Sequence, residues 1–293
     1  MHTQTDLIHI FEAMRPTLMG LAYRILGSVS DAEDAVQDTY LKLIKSDTQG
    51  INNPKAWLST VCTRRCLDML RSANKTRVNY VGAWLPEPIQ QVQDDDHSHE
   101  LAASLTTDFL LLLERLTPKE RAAFLLHELL EQSYSDIAKT LTVSEVACRK
   151  LVSRAKTHIG REHVRQQLST QQQETLLSSF EQALRTGDTT HFAKLLTEDV
   201  TLTADGGGVV PALLESLEGK EKVLRFIGKK LQRYWLNYSW NLADFNQSRA
   251  VVVKDGDQII AIMTLAHNAK NQISQIFIQR NPNKMKHLLN AKE

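Results

Sequence analysis

The residues of this chain best suited to contact a partner lie on one face of a helix predicted over 145–159, opposite an apolar arc. The face carries Val146, Arg149, Lys150, Ser153 and Arg154. Guanidinium, ammonium and hydroxyl donors on a helix can form hydrogen bonds with phosphate oxygens and with base edges in the major groove of DNA. The pattern predicts a recognition helix, with Arg154 at a phosphate rather than at a base.

Three capped helices are predicted to position this face. Their cap and turn residues are Thr117, Pro118, Glu120, Ser133, Thr142, Val143 and Ser144. Thr117 and Glu120 form the pattern of a capping box with proline at the first helical position, and Ser133 and Ser144 are suited to cap the next two helices. A tight turn between the last two helices is typical of a helix-turn-helix. The competing interpretation is a solvated basic face on an ordinary helical hairpin.

A second basic helix is predicted from Pro54, with Asn53 as its cap. Its far half carries Arg64, Arg65, Asp68 and Arg71. Phosphate attraction by such a helix, with the aromatic Trp57 near its start, suits single-stranded or melting DNA. Core packing is the preferred interpretation of Trp57 itself, because large aromatic side chains usually anchor cores.

The helix before it is acidic. Its candidates for contact with a partner are Asp31, Glu33, Asp34, Gln37 and Asp38. Ser30 and Glu33 predict a capping box, and the helix dipole accounts for carboxylates in the first turn. Asp38 lies beyond that turn, so Asp38 and Gln37 indicate a docking surface for a basic partner. Tyr40, Leu43 and Ile44 are expected to pack inward.

Composition limits these interpretations. The chain has 293 residues, enough for two or three domains, and its net charge is only +1, so DNA affinity must come from local patches. The three cysteines lack the companions of a zinc site and are expected to be buried and apolar. The acidic run at 94–96 reads as solvated linker, so no metal or cofactor is expected. Without a membrane span or a secretory signal, the chain is expected to stay in the cytoplasm.

The last third has a different pattern, with amphipathic helices followed by strands. Helices are predicted through Leu176 to Leu184, around Phe192 to Leu196, and over 220–234. Alternating segments from Tyr238 onwards predict a curved antiparallel sheet. The fold class is therefore multidomain, with two all-α modules followed by an α+β cone.

The segments DAEDAVQDTYLKL, AWLSTVCTRRCLDMLR and the capped unit ending in SRAK resemble bacterial sigma factors of the extracytoplasmic function group. The resemblance implies that Asp31, Glu33, Asp34, Gln37 and Asp38 of region 2 bind the β′ clamp of core RNA polymerase. It implies that Arg64, Arg65, Asp68 and Arg71 contact the promoter −10 element. Region 4 would read the −35 element through Val146, Arg149, Lys150, Ser153 and Arg154, and would contact the β flap.

The segments YVGAWLPEP, DGGG and NPNKM resemble signatures of sigma factors with a SnoaL-like extension of nuclear-transport-factor-2-like shape, often called the ECF41 group. The domains implied are region 2 over 1–78, a linker over 79–107, region 4 over 108–166 and the extension over 167–293. The extension is expected to act on the sigma modules in cis. The residues implied are Trp84, Leu85, Pro86, Glu87, Pro88, Asp205, Gly206, Gly207 and Gly208. Val209 stands where many relatives carry lysine.

Two alternatives stay open from the residues alone. One is a stand-alone helix-turn-helix regulator whose C-terminal pocket senses a small molecule, which the acidic helix disfavours because only polymerase gives that helix a partner. The other is an isomerase-type enzyme using Asp205, Asp244 or His267 as an acid or base. These three residues form no recognisable catalytic set, and glycines after Asp205 indicate close backbone approach, so no catalytic residue is expected.

Overall fold

A computed structural model describes residues 3–46, 51–77, 80–90, 106–160 and 168–288, with the side chains of 73–77 left out. The chain divides into two compact units. The helical unit comprises Met1–Val78, Gln93–Leu105 and Phe109–His163. The sheet unit comprises Asn79–Val92, Thr106–Asp108 and Val164–Glu293. No helix among the described residues is both long and apolar enough to span a membrane.

The first part of the helical unit is a bundle of α1 (Gln4–Leu26), α2 (Val29–Lys45) and α3 (Pro54–Arg77). Gly27 adopts φ +72° and ends α1, since glycine enters the left-handed region without steric cost. Asn53 accepts a hydrogen bond from the Ala56 amide at the start of α3, which confirms the predicted cap. The predicted Ser30–Glu33 box is wrong, because Ser28 caps α2 by accepting a bond from the Asp31 amide.

The second part comprises α4 (Thr107–Glu114), α5 (Pro118–Glu128), α6 (Tyr134–Leu141) and α7 (Glu145–Ile159). The predicted capping box of Thr117 and Glu120 is present, and Ser133 and Ser144 cap α6 and α7. Thr142 ends α6 in the left-handed region at φ +53°. The short reversal that follows fixes the angle between α6 and α7, so the helix-turn-helix predicted from local signals is confirmed.

The sheet unit contains α8 (Thr170–Thr186) and α9 (Thr190–Ala193), followed by a mixed sheet and further helices. Its strands are β1 (Leu196–Asp205), β2 (Leu217–Glu218), β3 (Ser239–Phe245), β4 (Ser248–Asp255), β5 (Gln258–His267) and β6 (Ile273–Gln279). The sheet order is β2-β1-β6-β5-β4-β3, and the β1–β6 pair is parallel. The strands predicted from Tyr238 onwards are antiparallel to one another, as expected, whereas the parallel pair involves β1, which was not predicted. The predicted helix at Phe192 is short, and Leu196 already belongs to β1.

One continuous helical segment over 220–235 packs on the sheet: α10 (Lys220–Arg225), a π-helical stretch (Phe226–Leu231) and α11 (Gln232–Trp235). Trp235 lies fully buried against Trp240, with ring centroids 5.7 Å apart. Phe180 of α8 packs on Phe192 at 5.5 Å. These aromatic side chains and the apolar residues of the strands fill the core of the predicted α+β unit.

Candidate nucleic-acid interface and polymerase-facing surface

The recognition helix α7 has one buried and one exposed face. Cys148, Val152, Ala155 and Ile159 are buried, and burial raises the pKa of the Cys148 thiol. The exposed side chains are Val146, Arg149, Lys150, Ser153 and Arg154. Val146 is 66% exposed although it is aliphatic, so its burial against a partner would be favourable.

The cations of α7 differ in how they are held. The Arg149 guanidinium donates to Glu145 at 2.7 Å and lies 4.6 Å from the Tyr134 ring centroid, which restrains it over the first turn. Lys156 pairs with Glu128 at 2.8 Å, and this hydrogen bond raises the pKa of Lys156. In the part of the chain that the structure describes, Lys150 and Arg154 form no ion pair, so both are available to DNA.

The four candidates on α3 are each engaged by other residues. Arg65 pairs with Asp38 at 2.6 Å, so a predicted DNA contact and a predicted polymerase contact bond to each other. Arg71 pairs with Asp68 at 3.0 Å. Both pairs are exposed and contribute little to stability. Arg64 donates to the carbonyls of Lys139 and Thr140, at 2.9 Å in each case.

The contacts of Arg64 belong to a larger contact between the two helical modules. The last carbonyls of a helix lack partners within it, and the guanidinium of Arg64 satisfies two of them at the end of α6, where the helix dipole also favours a cation. The hydroxyls of Thr60 and Thr140 form a hydrogen bond of 2.9 Å beside it. The buried Arg121 donates to the Ile25 carbonyl at the end of α1 and pairs with Glu114. The cationic face of α3 is thus partly covered by α6.

The acidic helix α2 exposes Glu33, Asp34 and Gln37, whereas Asp31 and Asp38 are half-buried. The expectation that Ile44 packs inward is wrong, because 42% of Ile44 and 44% of Leu41 are exposed. Helical spacing places both side chains beyond Gln37 on the same stripe. The exposed surface of α2 is therefore partly acidic and partly apolar. Its apolar part, Leu41 and Ile44, was not predicted because aliphatic residues at helical spacing were assigned to the core.

In the sheet unit, the fully buried Asp205 at the end of β1 binds the linker. Its carboxylate accepts hydrogen bonds from the Tyr80 hydroxyl at 2.6 Å, the Leu85 amide at 2.8 Å and the Gly207 amide at 2.9 Å. Lys284 pairs with the same carboxylate at 2.8 Å, donates to the Leu85 carbonyl, and lies 4.1 Å from the Trp84 ring centroid. Linker and loop thus share one buried polar network.

The rest of the linker is held by further hydrogen bonds. Gln279 donates to the Pro86 carbonyl at 3.2 Å and His287 to the Pro88 carbonyl at 2.8 Å. Asn246 exchanges two bonds of 3.0 Å with the backbone of Ile89. Proline lacks an amide, so these bonds use the carbonyls that the fixed chain of WLPEP presents.

The glycines of DGGG permit this close approach. A Cβ on Gly207, whose φ is +61°, would collide with the Asn281 side chain, and one on Gly206 would collide with the Val210 carbonyl. Asn281 in turn donates to the Tyr80 hydroxyl at 2.9 Å. Tyr80, Asn281 and Lys284 were not predicted as site residues, although all three lie in or beside the YVGAWLPEP and NPNKM segments.

The three acid–base candidates do not form one site. Asp205 pairs across the sheet with Gln279 and so with Ile262, five residues from His267 along β5. That separation is about 17 Å at 3.4 Å per residue. Asp244 pairs with Arg249 at 3.0 Å. His267 lines a cavity of only about 50 Å³. Among the described residues no cluster of His, Cys, Asp and Glu could hold a metal ion, and the acidic run at 94–96 lies outside them.

A helix-turn-helix with an exposed cationic face, a second basic helix and an acidic helix match the expectation of a transcription initiation factor of the sigma class, and comparison with known proteins shows that class. The family model "Sigma-70 region 2" matches residues 10–76, and "Sigma-70, region 4" matches 107–159. The chain belongs to the extracytoplasmic function (ECF) RNA polymerase sigma factors, which bind core polymerase and recognise promoters. The alternative of a stand-alone regulator is thereby excluded.

Individual relatives support this assignment. The chain is 38% identical over 230 residues to the ECF RNA polymerase sigma factor SigJ of Mycobacterium tuberculosis, covering 76% of this chain and 73% of the relative. It is 30% identical to the probable sigma factor SigI of the same species, covering 77% and 76%. The crystal structure of M. tuberculosis SigJ matches with a TM-score of 0.76 and 32% identity, covering 95% of this chain and 98% of that one.

Proposed function

We propose that this sigma factor reads the −35 element with α7 and the −10 element with α3. The observation that carries the proposal is the exposed face of α7, where Lys150 and Arg154 lie opposite a buried arc and form no ion pair with any residue that the structure describes. Val146, Arg149 and Ser153 join Lys150 in the proposed −35 contact, with Arg154 at a phosphate, and Arg64, Arg65, Asp68 and Arg71 form the proposed −10 contact. In this proposal region 2 spans 1–78 and region 4 spans 108–166.

The stripe of α2 is the proposed contact with the β′ clamp of polymerase. Asp31, Glu33, Asp34 and Asp38 supply charge, while Gln37, Leu41 and Ile44 supply the surface that would be buried. A mixed acidic and apolar stripe suits a basic partner helix with its own apolar seam, because burial gives affinity and charge gives orientation. Region 4 is proposed to contact the β flap.

Promoter binding on this proposal requires the two helical modules to separate. The −35 and −10 elements lie about 25 base pairs apart by their own numbering, which is about 85 Å at 3.4 Å per base pair. The Thr60 and Thr140 hydroxyls lie 2.9 Å apart, so a module on each element is incompatible with this contact. Arg64 would exchange the Lys139 and Thr140 carbonyls for DNA.

The extension over 167–293 is proposed to act as a SnoaL-like regulatory domain rather than as an enzyme. It holds the segment between the two sigma modules through Asp205, Lys284 and their partners, so it controls how much of the 79–107 linker is free to extend. Two DNA-binding modules joined by a linker gain affinity only when the linker spans their two sites. Release or retention of the linker therefore changes promoter binding in cis.

Reconstituted transcription with core polymerase on a library of promoters tests both parts. The full chain is expected to start transcription at a defined subset of promoters, and a chain lacking 168–293 is expected to change the output on that subset. Failure of the full chain to co-purify with core polymerase and to start at any promoter would refute the polymerase and promoter contacts. Equal output from both chains at every polymerase concentration would refute only the regulatory role.

A further inference from the structure

The helical segment over 220–235 carries a basic surface that neither sigma module accounts for. Its exposed cations are Lys222, Arg225, Lys229, Lys230 and Arg233. Within the described residues none of the five forms an ion pair, whereas Lys220 at the segment's start pairs with Glu198. Glu221 is the single carboxylate in the segment. Five unpaired cations on a domain of otherwise mixed charge form a local positive field.

The π-helical stretch aligns these cations into rows. Val223, Ile227, Leu231 and Trp235 are all buried, at intervals of four residues. A regular α-helix turns 400° in four residues, so such a stripe would drift about 40° at each step. The wider turns over Phe226–Leu231 remove this drift and keep the stripe on the core.

The same geometry acts on the opposite side of the segment. Arg225, Lys229 and Arg233 share the four-residue interval and therefore form a straight row facing away from the core. The row spans about 12 Å at 1.5 Å per residue. Lys222 and Lys230 flank it, and Tyr234 beside them is 64% exposed. A straight cationic row with an exposed aromatic ring is suited to a phosphate backbone.

The covalent chain keeps this row close to DNA. Ten residues, 160–169, separate the end of α7 from the start of α8. A fully extended chain of this length spans at most about 36–40 Å, roughly the length of one turn of duplex DNA. When α7 lies in the major groove, the sheet unit cannot be far from the neighbouring duplex.

We propose that the row Arg225–Lys229–Arg233, with Lys222 and Lys230, is a third DNA contact of this protein that binds the duplex backbone without reading sequence. It goes beyond promoter reading by α3 and α7 and beyond linker control, neither of which requires it. The row adds affinity at any sequence, and its contribution falls with salt because each phosphate contact releases counterions.

Fluorescence anisotropy of the full chain on a random-sequence duplex, at several salt concentrations, tests the proposal. The test variant is R225Q/K229Q/R233Q, and the matched control is K254Q/K270Q/K286Q, which removes the same charge from elsewhere in the sheet unit. All six side chains lie at least partly in solvent, so both variants should fold, which circular dichroism checks.

Loss of three phosphate contacts should make the slope of log affinity against log salt shallower by about 2.7 in the test variant and leave it unchanged in the control. Between 50 and 200 mM salt, the affinity of the test variant should fall roughly 40-fold less than that of the wild type. Combined with R149Q/K150Q/R154Q, the two slope changes should add.

The proposal would be overturned if the test variant, the control and the wild type had the same slope of log affinity against log salt. It would also be overturned if the test variant and the K254Q/K270Q/K286Q control changed this slope equally, because that would indicate a general effect of charge. Binding of the same variants to phosphatidylglycerol vesicles tests whether the row instead contacts a membrane surface. If the test variant loses vesicle binding while its DNA slope is unchanged, the row is a membrane surface and not a DNA contact. None of these outcomes depends on polymerase, so they are separate from the tests of the sigma assignment.

Discussion

Neutralising both partners of the buried Asp205–Lys284 pair should destabilise the sheet unit by less than the sum of the losses from neutralising each partner alone. Asp205 is fully buried, and the Lys284 side chain is 9% exposed. In Asp205→Asn the Lys284 ammonium loses its carboxylate partner, although it still donates to the Leu85 carbonyl and lies 4.1 Å from the Trp84 ring centroid and 4.9 Å from that of Tyr80. Breaking a buried pair in this way costs about 3–5 kcal/mol.

Lys284→Met should cost less, because Asp205 still accepts bonds from the Tyr80 hydroxyl and the Leu85 and Gly207 amides. A loss of about 1–3 kcal/mol is expected, which corresponds to one charged hydrogen bond. The double variant carries no buried charge at this point. Its loss should therefore fall short of the sum of the single losses by about 1–3 kcal/mol, the coupling typical of residues in contact.

Urea unfolding followed by tryptophan fluorescence measures these losses. In a Trp57→Phe background the remaining tryptophans, at 84, 235 and 240, all belong to the sheet unit, so the signal reports that unit alone. Glu198→Gln, which breaks the exposed pair with Lys220, serves as the control and should leave the transition unchanged. Single losses that add without coupling would refute the view that Asp205 and Lys284 act as one unit.

Two further predictions concern the helical unit. Arg64→Ala removes both bonds to α6, a loss of about 1 kcal/mol, and should therefore raise the equilibrium constant for separation of the two modules about fivefold. Fluorophores on the two modules should then report a longer mean distance. Arg71→Ala is the control, and equal distances in the two variants would contradict this role of Arg64. Thr117→Ala should cost about 1 kcal/mol at pH 7 through loss of the cap. Burial raises the pKa of Glu120, but hydrogen bonds from Thr117 more than offset this effect, so the pKa of Glu120 is lower in the folded protein than in the unfolded chain. The ionised Glu120 therefore stabilises the fold at a pH above its unfolded pKa, and this stabilisation is lost as the pH falls through its folded pKa. Urea midpoints of wild type and Thr117→Ala should therefore converge in acid, and a constant difference between pH 7 and pH 3 would contradict the assignment.

Local signals in the sequence determined the helical half of this protein in detail. Thr117, Ser133 and Ser144 cap helices through atoms within three residues of themselves, and Gly27 ends α1 through its own backbone freedom. Such interactions need no distant partner, so they can be inferred from short segments. The resemblance of several segments to known sigma factors indicated the family, and the spacing of Arg149, Lys150 and Arg154 on α7 predicted which face of the helix is exposed.

Other features were decided only when distant segments met. Strand β1 was missed because its polar residues obscure the alternation, and its parallel pairing with β6 joins segments more than 70 residues apart. Ile44 was assigned to the core because a hydrophobic residue at helical spacing is ordinarily buried, whereas the surrounding bundle leaves it exposed.

The network around Asp205 depended most on tertiary structure. Its partners lie 125, 120 and 79 positions away, at Tyr80, Leu85 and Lys284. A carboxylate followed by glycines indicates a loop of close approach but not which segment approaches it. The sequence therefore determined the helix-turn-helix and the exposed cationic face of α7, because periodicity and capping are short-range. Only the tertiary structure decided that Arg64 faces α6 and that the linker is bound to the sheet unit, because both depend on packing between segments far apart along the chain.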